Sequence, residues 1–342
     1  MTRAPAVAPL FILVAVLAVL PRPEASTRDR TATVGRIERL DPRFDALVPP
    51  GAALEKVADG IEWAEGPLWD PTNGSLLFSD VPRNGVYRWT EKKGITLFFG
   101  SSGYSGPEPF GGREPGSNGL VFDRERRLVM CQHGDRRIAR RERDGRITVL
   151  ADRFEGRRLN SPNDLVYHSS GDLYFTDPPF GLPGTFSDPA KEVPFQGVYR
   201  LRPDGTLTVV TRELNAPNGL GFSPDEKTLY VANAEHARPI WMAYEMLPDG
   251  TLGRGRQFAD AAAWVKPGEG VPDGLKIDRL GNVFAAGPGG IHVFAPDGTR
   301  LGRIETGVPT GNLTWGEDGS VLYVAANHWI CRLRTTTKGK GV

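Results

Sequence analysis

The chain has 342 residues and carries 42 Lys and Arg against 41 Asp and Glu, which gives a formal net charge of +1. This balance offers no electrostatic basis for nucleic acid or an anionic membrane as the main partner. The 42 Gly and 29 Pro indicate many turns, while 39% hydrophobic residues exclude a largely disordered chain. These numbers predict a turn-rich globular fold.

The N-terminus differs from the rest of the chain. Residues 4–20 form an uncharged, mostly apolar run that two prolines interrupt. A membrane span needs about 20 apolar residues, so the run is typical of the hydrophobic part of a secretory signal peptide. Residues 23–25 match a cleavage motif poorly, which leaves an uncleaved anchor open. We expect residues 1–26 to be a signal peptide or N-terminal anchor, and the protein to be exported, either periplasmic or secreted.

A short phrase recurs six times after the N-terminal run. Each copy places Asn, Asp or Glu before an apolar residue, usually with Gly between them. The six leading polar residues, spaced 39 to 55 residues apart, are Glu65, Asn118, Asn163, Asn218, Asp273 and Asn312. Self-similarity at such a period indicates a repeat architecture.

Each phrase is followed by a similar series of short apolar runs. After Asn118 come Leu120–Phe122 and Arg127–Cys131, and later a turn at Asp144-Gly145. Asp-Gly between apolar runs is a strong hairpin signal, because Gly accepts the positive φ that such turns need. Four short strands per unit, without a clear helical period, predict an all-β fold: a six-bladed β-propeller of four-stranded blades. A β-sandwich fits less well because it gives no reason for the period.

The repeat also divides the chain. We expect residues 54–336 to form the propeller, preceded by an N-terminal extension at 27–53 and followed by a C-terminal tail at 337–342. Residues 54–58 precede the first phrase and are placed to supply the outer strand of the last blade, which would close the ring and cover its edges. The two cysteines fall in non-adjacent blades, so we expect free, half-buried thiols.

The leading polar residues are predicted to meet. The innermost strand of each propeller blade begins beside the central channel, so equivalent side chains of successive blades converge on the axis. Two of the six, Glu65 and Asp273, are carboxylates, and two negative charges at one point are unfavourable unless something neutralises them. Carboxylate and amide oxygens suit a hard cation such as Ca²⁺ or Mg²⁺. Ordinary turn residues that bond their own backbone are the alternative.

At these phrases the sequence resembles the family of gluconolactonases and regucalcin-like proteins (senescence marker protein 30). The resemblance covers about residues 62–334. It is carried by Glu65-Gly66-Pro67, Ser161-Pro162-Asn163-Asp164, Pro217-Asn218-Gly219-Leu220 and Pro272-Asp273-Gly274-Leu275. The bacterial gluconolactonase branch is indicated by Gln132-His133-Gly134 and Phe175-Thr176-Asp177-Pro178-Pro179.

The resemblance implies a six-bladed propeller with one divalent metal ion in the channel mouth. Ca²⁺ is favoured, with Mg²⁺, Mn²⁺ and Zn²⁺ as alternatives. The implied metal ligands are Glu65, Asn218 and Asp273, and Asn163 matches a residue that contacts metal or substrate. Asp273 also matches the residue proposed to help activate water. Animal members carry an Arg where this chain has Ser161, so their sugar specificity does not carry over.

Together these features predict a hydrolase that opens a sugar lactone to the aldonic acid. The metal would polarise the carbonyl, and Asp273 would act as the base, because Ca²⁺ acidifies water far less than Zn²⁺. Asn118 and Asn163 are candidates for substrate contact. His133, at the end of the second strand of the second blade, is another candidate, or a structural imidazole. Neither a G-x-S-x-G nor an H-E-x-x-H motif occurs in the sequence.

Two long segments break the blade pattern, at residues 101–116 and 178–197, and both are rich in Gly, Pro and aromatic residues. Long loops in a compact domain are usually functional, so we expect them to cover the metal and select the substrate; ordinary surface insertions are the alternative. Two other functions stay open. One is a non-catalytic propeller that binds a ligand or protein and is stabilised by its metal. The other is a related propeller hydrolase that acts on other lactones or on phosphotriesters.

Overall fold

Short antiparallel strands account for nearly all the regular structure in residues 32–341, the part of the chain that the computed structural model describes. Two 3₁₀ segments, Pro42–Ala46 and Thr185–Ser187, are the only helical elements in that part. None of its helices is long and apolar enough to cross a membrane. The apolar run at 4–20 lies outside the described residues, so the signal peptide or anchor, and with it export, stays a prediction.

Twenty-eight strands follow one another between residues 32 and 341. The first fourteen are β1 (Ala32–Val34), β2 (Arg36–Arg39), β3 (Leu54–Ala58), β4 (Ala64–Asp70), β5 (Ser75–Asp80), β6 (Gly85–Thr90), β7 (Gly94–Gly100), β8 (Ser117–Phe122), β9 (Leu128–Gln132), β10 (Arg137–Arg141), β11 (Ile147–Ala151), β12 (Arg153–Phe154), β13 (Arg157–Arg158) and β14 (Leu165–Tyr167). The others are β15 (Leu173–Asp177), β16 (Gly197–Leu201), β17 (Leu207–Thr211), β18 (Pro217–Phe222), β19 (Thr228–Asn233), β20 (Ile240–Met246), β21 (Leu252–Asp260), β22 (Leu275–Ile277), β23 (Val283–Gly287), β24 (Gly290–Phe294), β25 (Arg300–Glu305), β26 (Asn312–Gly316), β27 (Val321–Ala326) and β28 (Trp329–Arg334).

These strands build six blades around one axis. Numbered along the chain and read from the axis outward, the blades are β4 to β7, β8 to β11, β14 to β17, β18 to β21, β22 to β25, and β26 to β28 followed by β3. The first strand of each blade contacts the first strands of both neighbours, in the closed order β4, β8, β14, β18, β22, β26 and back to β4. The six-bladed propeller predicted from the repeat is therefore confirmed.

The ring is closed by a strand from before the first blade. β3 pairs antiparallel with β28 and forms the fourth strand of blade 6, as residues 54–58 were predicted to do. This pairing joins the first and last parts of the propeller within one sheet. It also covers the edge of β28, which would otherwise be available for pairing with another chain.

The residues on either side of the propeller pack on blades 5 and 6. β1 pairs with β3 as a fifth strand of blade 6, and β2 pairs with β25 as a fifth strand of blade 5. Phe44, which lies between β2 and β3 in the chain, is fully buried in the core that blades 5 and 6 share. Near the C-terminus, the hydroxyl of Thr337 donates to Oδ2 of Asp278 at 2.7 Å. The described parts of 27–53 and 337–342 thus extend the two blades.

The hydrophobic core lies between the faces of neighbouring blades. Between blades 2 and 3, Val129 packs in the same cluster as the stacked rings of Phe175 and Tyr199, whose centroids are 5.2 Å apart. Cys131 belongs to this cluster and Cys331 to the core of blades 5 and 6. Both cysteines are free, as predicted, but they are fully buried rather than half-buried.

Glycine is required where the first strands approach one another around the axis. A Cβ atom on Gly219, in β18, would lie 2.4 Å from the carbonyl oxygen of Asp273 and 2.5 Å from the Cα atom of Gly274. These atoms belong to the backbone of the next blade and cannot rotate away. The Gly of this phrase therefore allows close packing of inner strands and does not form a turn.

Replacing Gly219 with Ala should destabilise the propeller, because the added methyl group overlaps the backbone of blade 5. Overpacking of this kind costs about 1–3 kcal/mol or more, which corresponds to roughly 2–4 °C of melting temperature per kcal/mol in a large domain. Gly100→Ala is the matched control, since nothing lies within 4 Å of a Cβ at that position. Equal melting temperatures of the two variants in scanning calorimetry would contradict the packing argument.

Candidate functional site

Five polar side chains from five blades meet around the propeller axis. Glu65, Asn118 and Asn218 are the second residues of β4, β8 and β18. Asn163 and Asp273 come two residues before β14 and β22, and the N–H group of each donates to a carbonyl of the next strand at 2.9 Å. All five side chains line one cavity of about 540 Å³. The convergence predicted from the repeat is therefore observed for these five residues.

The sixth equivalent position holds Gly311 and not Asn312, so the prediction for Asn312 was wrong. The Gly311 N–H donates to the carbonyl of Ala325 at 3.0 Å, which is the bond that Asn163 and Asp273 make in their own blades. Asn312 lies one residue further along its strand and does not line the cavity. In the sixth phrase Gly311 precedes Asn312, the reverse of the usual order. The alignment of this phrase with the other five was therefore shifted by one residue.

The missing side chain at Gly311 leaves room for Glu65. A Cβ atom on Gly311 would lie 2.4 Å from Oε1 of Glu65, so the carboxylate occupies that space. Its Oε2 atom accepts a hydrogen bond from the Gly66 N–H at 3.1 Å. Glu65 is only 3% exposed. The carboxylate of blade 1 is thus held against blade 6.

A second polar layer lies one residue further along the inner strands. Asp164 and Asn312 take the place of the Gly in the phrases of blades 3 and 6, and Nδ2 of Asn312 donates to Oδ2 of Asp164 at 3.4 Å. The ammonium group of Lys276 donates to Oδ1 of Asn312 at 3.3 Å. Asp164 is buried, and its charge acts on both Glu65 and Asp273. Although Asp164 belongs to a phrase found in the sequence, its place in the site was not predicted.

The two predicted carboxylates hold their protons more strongly than solvated carboxylates do. Burial, and then the charges of Asp164 and Glu114, raises the pKa of Glu65 from its usual value of 4.5 to about 8. Burial, and then the charges of Glu65, Asp164 and Glu114, raises the pKa of Asp273 well above its usual value. The side chain of Asp273 keeps some exposure to the cavity. A centre with this much negative charge favours a bound cation.

Two amide oxygens in the same cavity have no protein partner. The Oδ1 atoms of Asn118 and Asn218 are buried and accept no hydrogen bond from any residue in the range 32–341. Buried polar atoms normally have a partner, so these oxygens are suited to a ligand. No group of three or more His, Cys, Asp and Glu side chains in the described part of the chain is arranged to hold a metal. A cation here would need the amide oxygens beside Glu65 and Asp273, an oxygen donor set that fits Ca²⁺ or Mg²⁺.

Both long loops contribute to the wall of the cavity. Residues 101–116 supply Glu114, and residues 178–197 supply Phe180 and Phe186, whose rings meet edge to face with centroids 6.1 Å apart. Phe186 is 48% exposed. The other residues that line the cavity are Trp63, Gln196, Asn215, Ala216, Ala234, Glu235, His236 and Val271. The sequence identified the loops but gave no reason to select Glu114.

His133 lies behind the cavity wall. Its side chain is fully buried, and its Nδ1 atom is 3.0 Å from Oε2 of Glu114. The two groups are not aligned as a hydrogen bond, since neither ring nitrogen of His133 has a hydrogen-bond partner within residues 32–341. The predicted direct contact between His133 and substrate is not supported by this placement, because the ring has no exposed surface.

The raised pKa of Glu65 makes the stability of the cation-free protein depend on pH. Between pH 4.5 and about 8 the folded state keeps a proton that the unfolded state has lost. The free energy of unfolding should therefore fall as the pH rises through this range, by at most about 1.4 kcal/mol per pH unit for one group. Denaturant titrations of chelator-treated protein measure this slope. Asp273 contributes a slope of the same sign because its pKa is also raised, so Glu65→Gln should reduce the slope, and a wild-type slope in that variant would contradict the assignment.

Known proteins resemble this chain over most of its length. A model of the SMP-30/Gluconolactonase/LRE-like region matches residues 63–328. A gluconolactonase of Zymomonas mobilis is 40% identical over 323 residues, which cover 90% of this chain and 88% of the relative. A pentonolactonase of Haloferax volcanii is 27% identical over 76% of this chain and 80% of its own length.

Solved structures agree with these matches. The structure of a gluconolactonase from Xanthomonas campestris superposes with a TM-score of 0.76 and 32% identity, covering 90% of this chain and 99% of that one. A second gluconolactonase-like structure has the same TM-score and identity and covers 90% of this chain and 100% of its own. The family resemblance inferred from the repeated phrases is confirmed. The chain belongs to the SMP-30/gluconolactonase family.

Proposed function

We propose that this chain hydrolyses a sugar lactone to the aldonic acid in the axial cavity. One divalent cation would be bound there, and Ca²⁺ is the preferred candidate. The chain is a lactone-hydrolysing hydrolase, the class of its named relatives. The proposed cation and substrate rest on one observation: Glu65 and Asp273 meet unpartnered amide oxygens in one cavity. Such a set binds a hard cation and leaves room for a small polar substrate.

The cation would be held by Glu65, Asn163, Asn218 and Asp273. When bound, a divalent cation supplies a Lewis acid for the lactone carbonyl and lowers the pKa of a bound water. A bound cation would also favour the ionised forms of Glu65 and Asp273, whose pKa values burial and neighbouring charges raise. The unpartnered Oδ1 atom of Asn218 supports its place in this ligand set.

We assign the role of the base to Asp273. It lines the cavity, is partly exposed to it, and has surroundings that raise its proton affinity. In this mechanism Asp273 takes a proton from water as the water oxygen bonds to the carbonyl carbon. The ring C–O bond then breaks, and the proton passes to the ring oxygen, which becomes a hydroxyl group of the acid. Asn118 and Asn163 would orient the lactone oxygens.

Removal of divalent cations should reduce hydrolysis of glucono-1,5-lactone to the spontaneous rate, and Ca²⁺ should restore it. The physical reason is that the cavity would then hold protonated carboxylates and no Lewis acid. The measurement is the rate of acid release after chelation, with the metal content determined independently. Parallel additions of Mg²⁺, Mn²⁺ and Zn²⁺ identify the preferred ion. An undiminished rate in protein free of metal would refute the cation dependence.

Asp273→Asn should lower kcat for the same lactone by roughly 10²- to 10⁴-fold, the usual contribution of a general base. It should also weaken the binding of the cation, since the variant loses a charged ligand. Kinetics at saturating Ca²⁺ separate these two effects. Asp144→Asn, at an exposed hairpin turn of blade 2, is the matched control and should leave both quantities unchanged. Full hydrolysis together with full cation affinity in Asp273→Asn would rule out this role.

A further inference from the structure

The two long loops meet at one buried side chain beside the cavity. His133 lies 3.0 Å, at Nδ1, from Oε2 of Glu114 in the loop 101–116. It also packs against the loop 178–197, where a Cβ atom on Gly181 would lie 2.5 Å from Cβ of His133. Because the imidazole is fully buried between these groups, it has little freedom to move. It therefore fixes the position of Glu114 relative to the second loop.

Ser161 fixes the second loop from within blade 3. Its hydroxyl donates to the carbonyl of Pro178 at 2.7 Å and accepts from the N–H group of Gly181 at 2.9 Å. Phe180 lies between these two anchored residues and lines the cavity together with Phe186. Phe180 is thus held at the cavity wall, where its ring meets that of the half-exposed Phe186.

Glu114 remains available to a ligand despite its contact with His133. Its side chain lines the cavity and is 34% exposed. A carboxylate has about four acceptor positions, so one approach by an imidazole leaves others free. A fixed carboxylate in one cavity with two aromatic rings fits a ring-shaped ligand that carries hydroxyl groups on its edge and C–H groups on its faces. A lactone without hydroxyl groups has nothing to donate to Glu114.

We propose that Glu114, positioned by His133, selects polyhydroxylated lactones by accepting hydrogen bonds from their ring hydroxyl groups, while Phe180 and Phe186 cover the apolar face of the ring. This rests on the proposed function and assigns the residues that select its substrate in the same cavity. The charge of Glu114 also acts on Glu65 and Asp273. The experiment must therefore separate contact with substrate from an effect on the cation.

The test compares glucono-1,5-lactone with δ-valerolactone, which has the same six-membered ester ring without hydroxyl groups. Glu114→Gln should lower kcat/KM for gluconolactone by roughly 10- to 100-fold, the loss expected for hydrogen bonds to a charged acceptor. The value for δ-valerolactone should change much less, so the ratio of the two falls. Glu108→Gln is the matched control, since Glu108 is exposed on the same loop and does not line the cavity.

Two outcomes would overturn the proposal. An equal fall for both lactones, accompanied by weaker Ca²⁺ binding, would place Glu114 at the reaction centre or the cation. An unchanged ratio with unchanged Ca²⁺ binding would show that Glu114 does not contact hydroxyl groups.

Binding of D-glucitol tests the same contact without hydrolysis. This polyol offers hydroxyl groups but no ester, and its Kd should rise about tenfold in Glu114→Gln by the same loss of a charged acceptor. Equal Kd values, or no binding to the wild type, would count against the proposal. If the wild-type protein with cation hydrolysed no lactone, the proposed function would fail, and this binding comparison would still decide the role of Glu114.

His133→Gln tests the positioning role. Gln is polar but lacks the imidazole ring that packs between Glu114 and Gly181, so Glu114 should lose its fixed position, and KM for gluconolactone should rise several-fold while kcat is largely kept. A variant that loses melting temperature and kcat together, without a change in KM, would show that His133 serves only to stabilise the fold.

Discussion

The negative charge gathered on the propeller axis is the constraint on which the site depends. Burial opposes ionisation of Glu65 and Asp273, and the nearby charges of Asp164 and Glu114 oppose it further. The folded chain accommodates these groups either with extra protons or with a cation. Protonated carboxylates cannot act as metal ligands or bases, whereas carboxylates neutralised by a cation can. The chemistry of the cavity therefore follows from an electrostatic cost that the fold imposes.

The closed ring of blades holds these carboxylates together despite the electrostatic cost. Each inner strand is fixed by both neighbours, so the carboxylates cannot move apart without opening the ring. The place where such a ring is weakest is where its first and last strands meet. Here β3 joins β28, and β1 and β2 add further strands to the outer edges of blades 6 and 5. The additional pairing lies at the closure, in blade 6, where Gly311 leaves room for the Glu65 carboxylate, and in the neighbouring blade 5.

The sequence predicted the blades because their signals are local. Alternating short apolar runs and Asp-Gly turns recur in each unit, and five of the six leading residues are placed as the repeat required. The register of the last unit failed, because a reversed Gly311-Asn312 pair looks the same as an Asn-Gly pair shifted by one residue. The outer strands β1 and β2 could not be predicted, since pairing at a sheet edge depends on which blade the chain reaches. Only tertiary structure supplies that information.

The sequence could not identify Glu114 for a different reason. It comes from a loop that no other blade repeats, so neither period nor spacing could mark it, and only the folded chain brings it to the axis. Ser161 is the opposite case. It lies within a recognised phrase, but its side chain holds a loop and does not reach the cavity.

Attack on a lactone carbonyl needs the same few groups whatever the rest of the ring carries, whereas discrimination between lactones needs contacts away from that carbonyl. Under the proposed mechanism, the blades of this chain would supply the first set and the two loops would supply the second. Changes in the loops should therefore alter the choice of lactone without removing the ability to hydrolyse one.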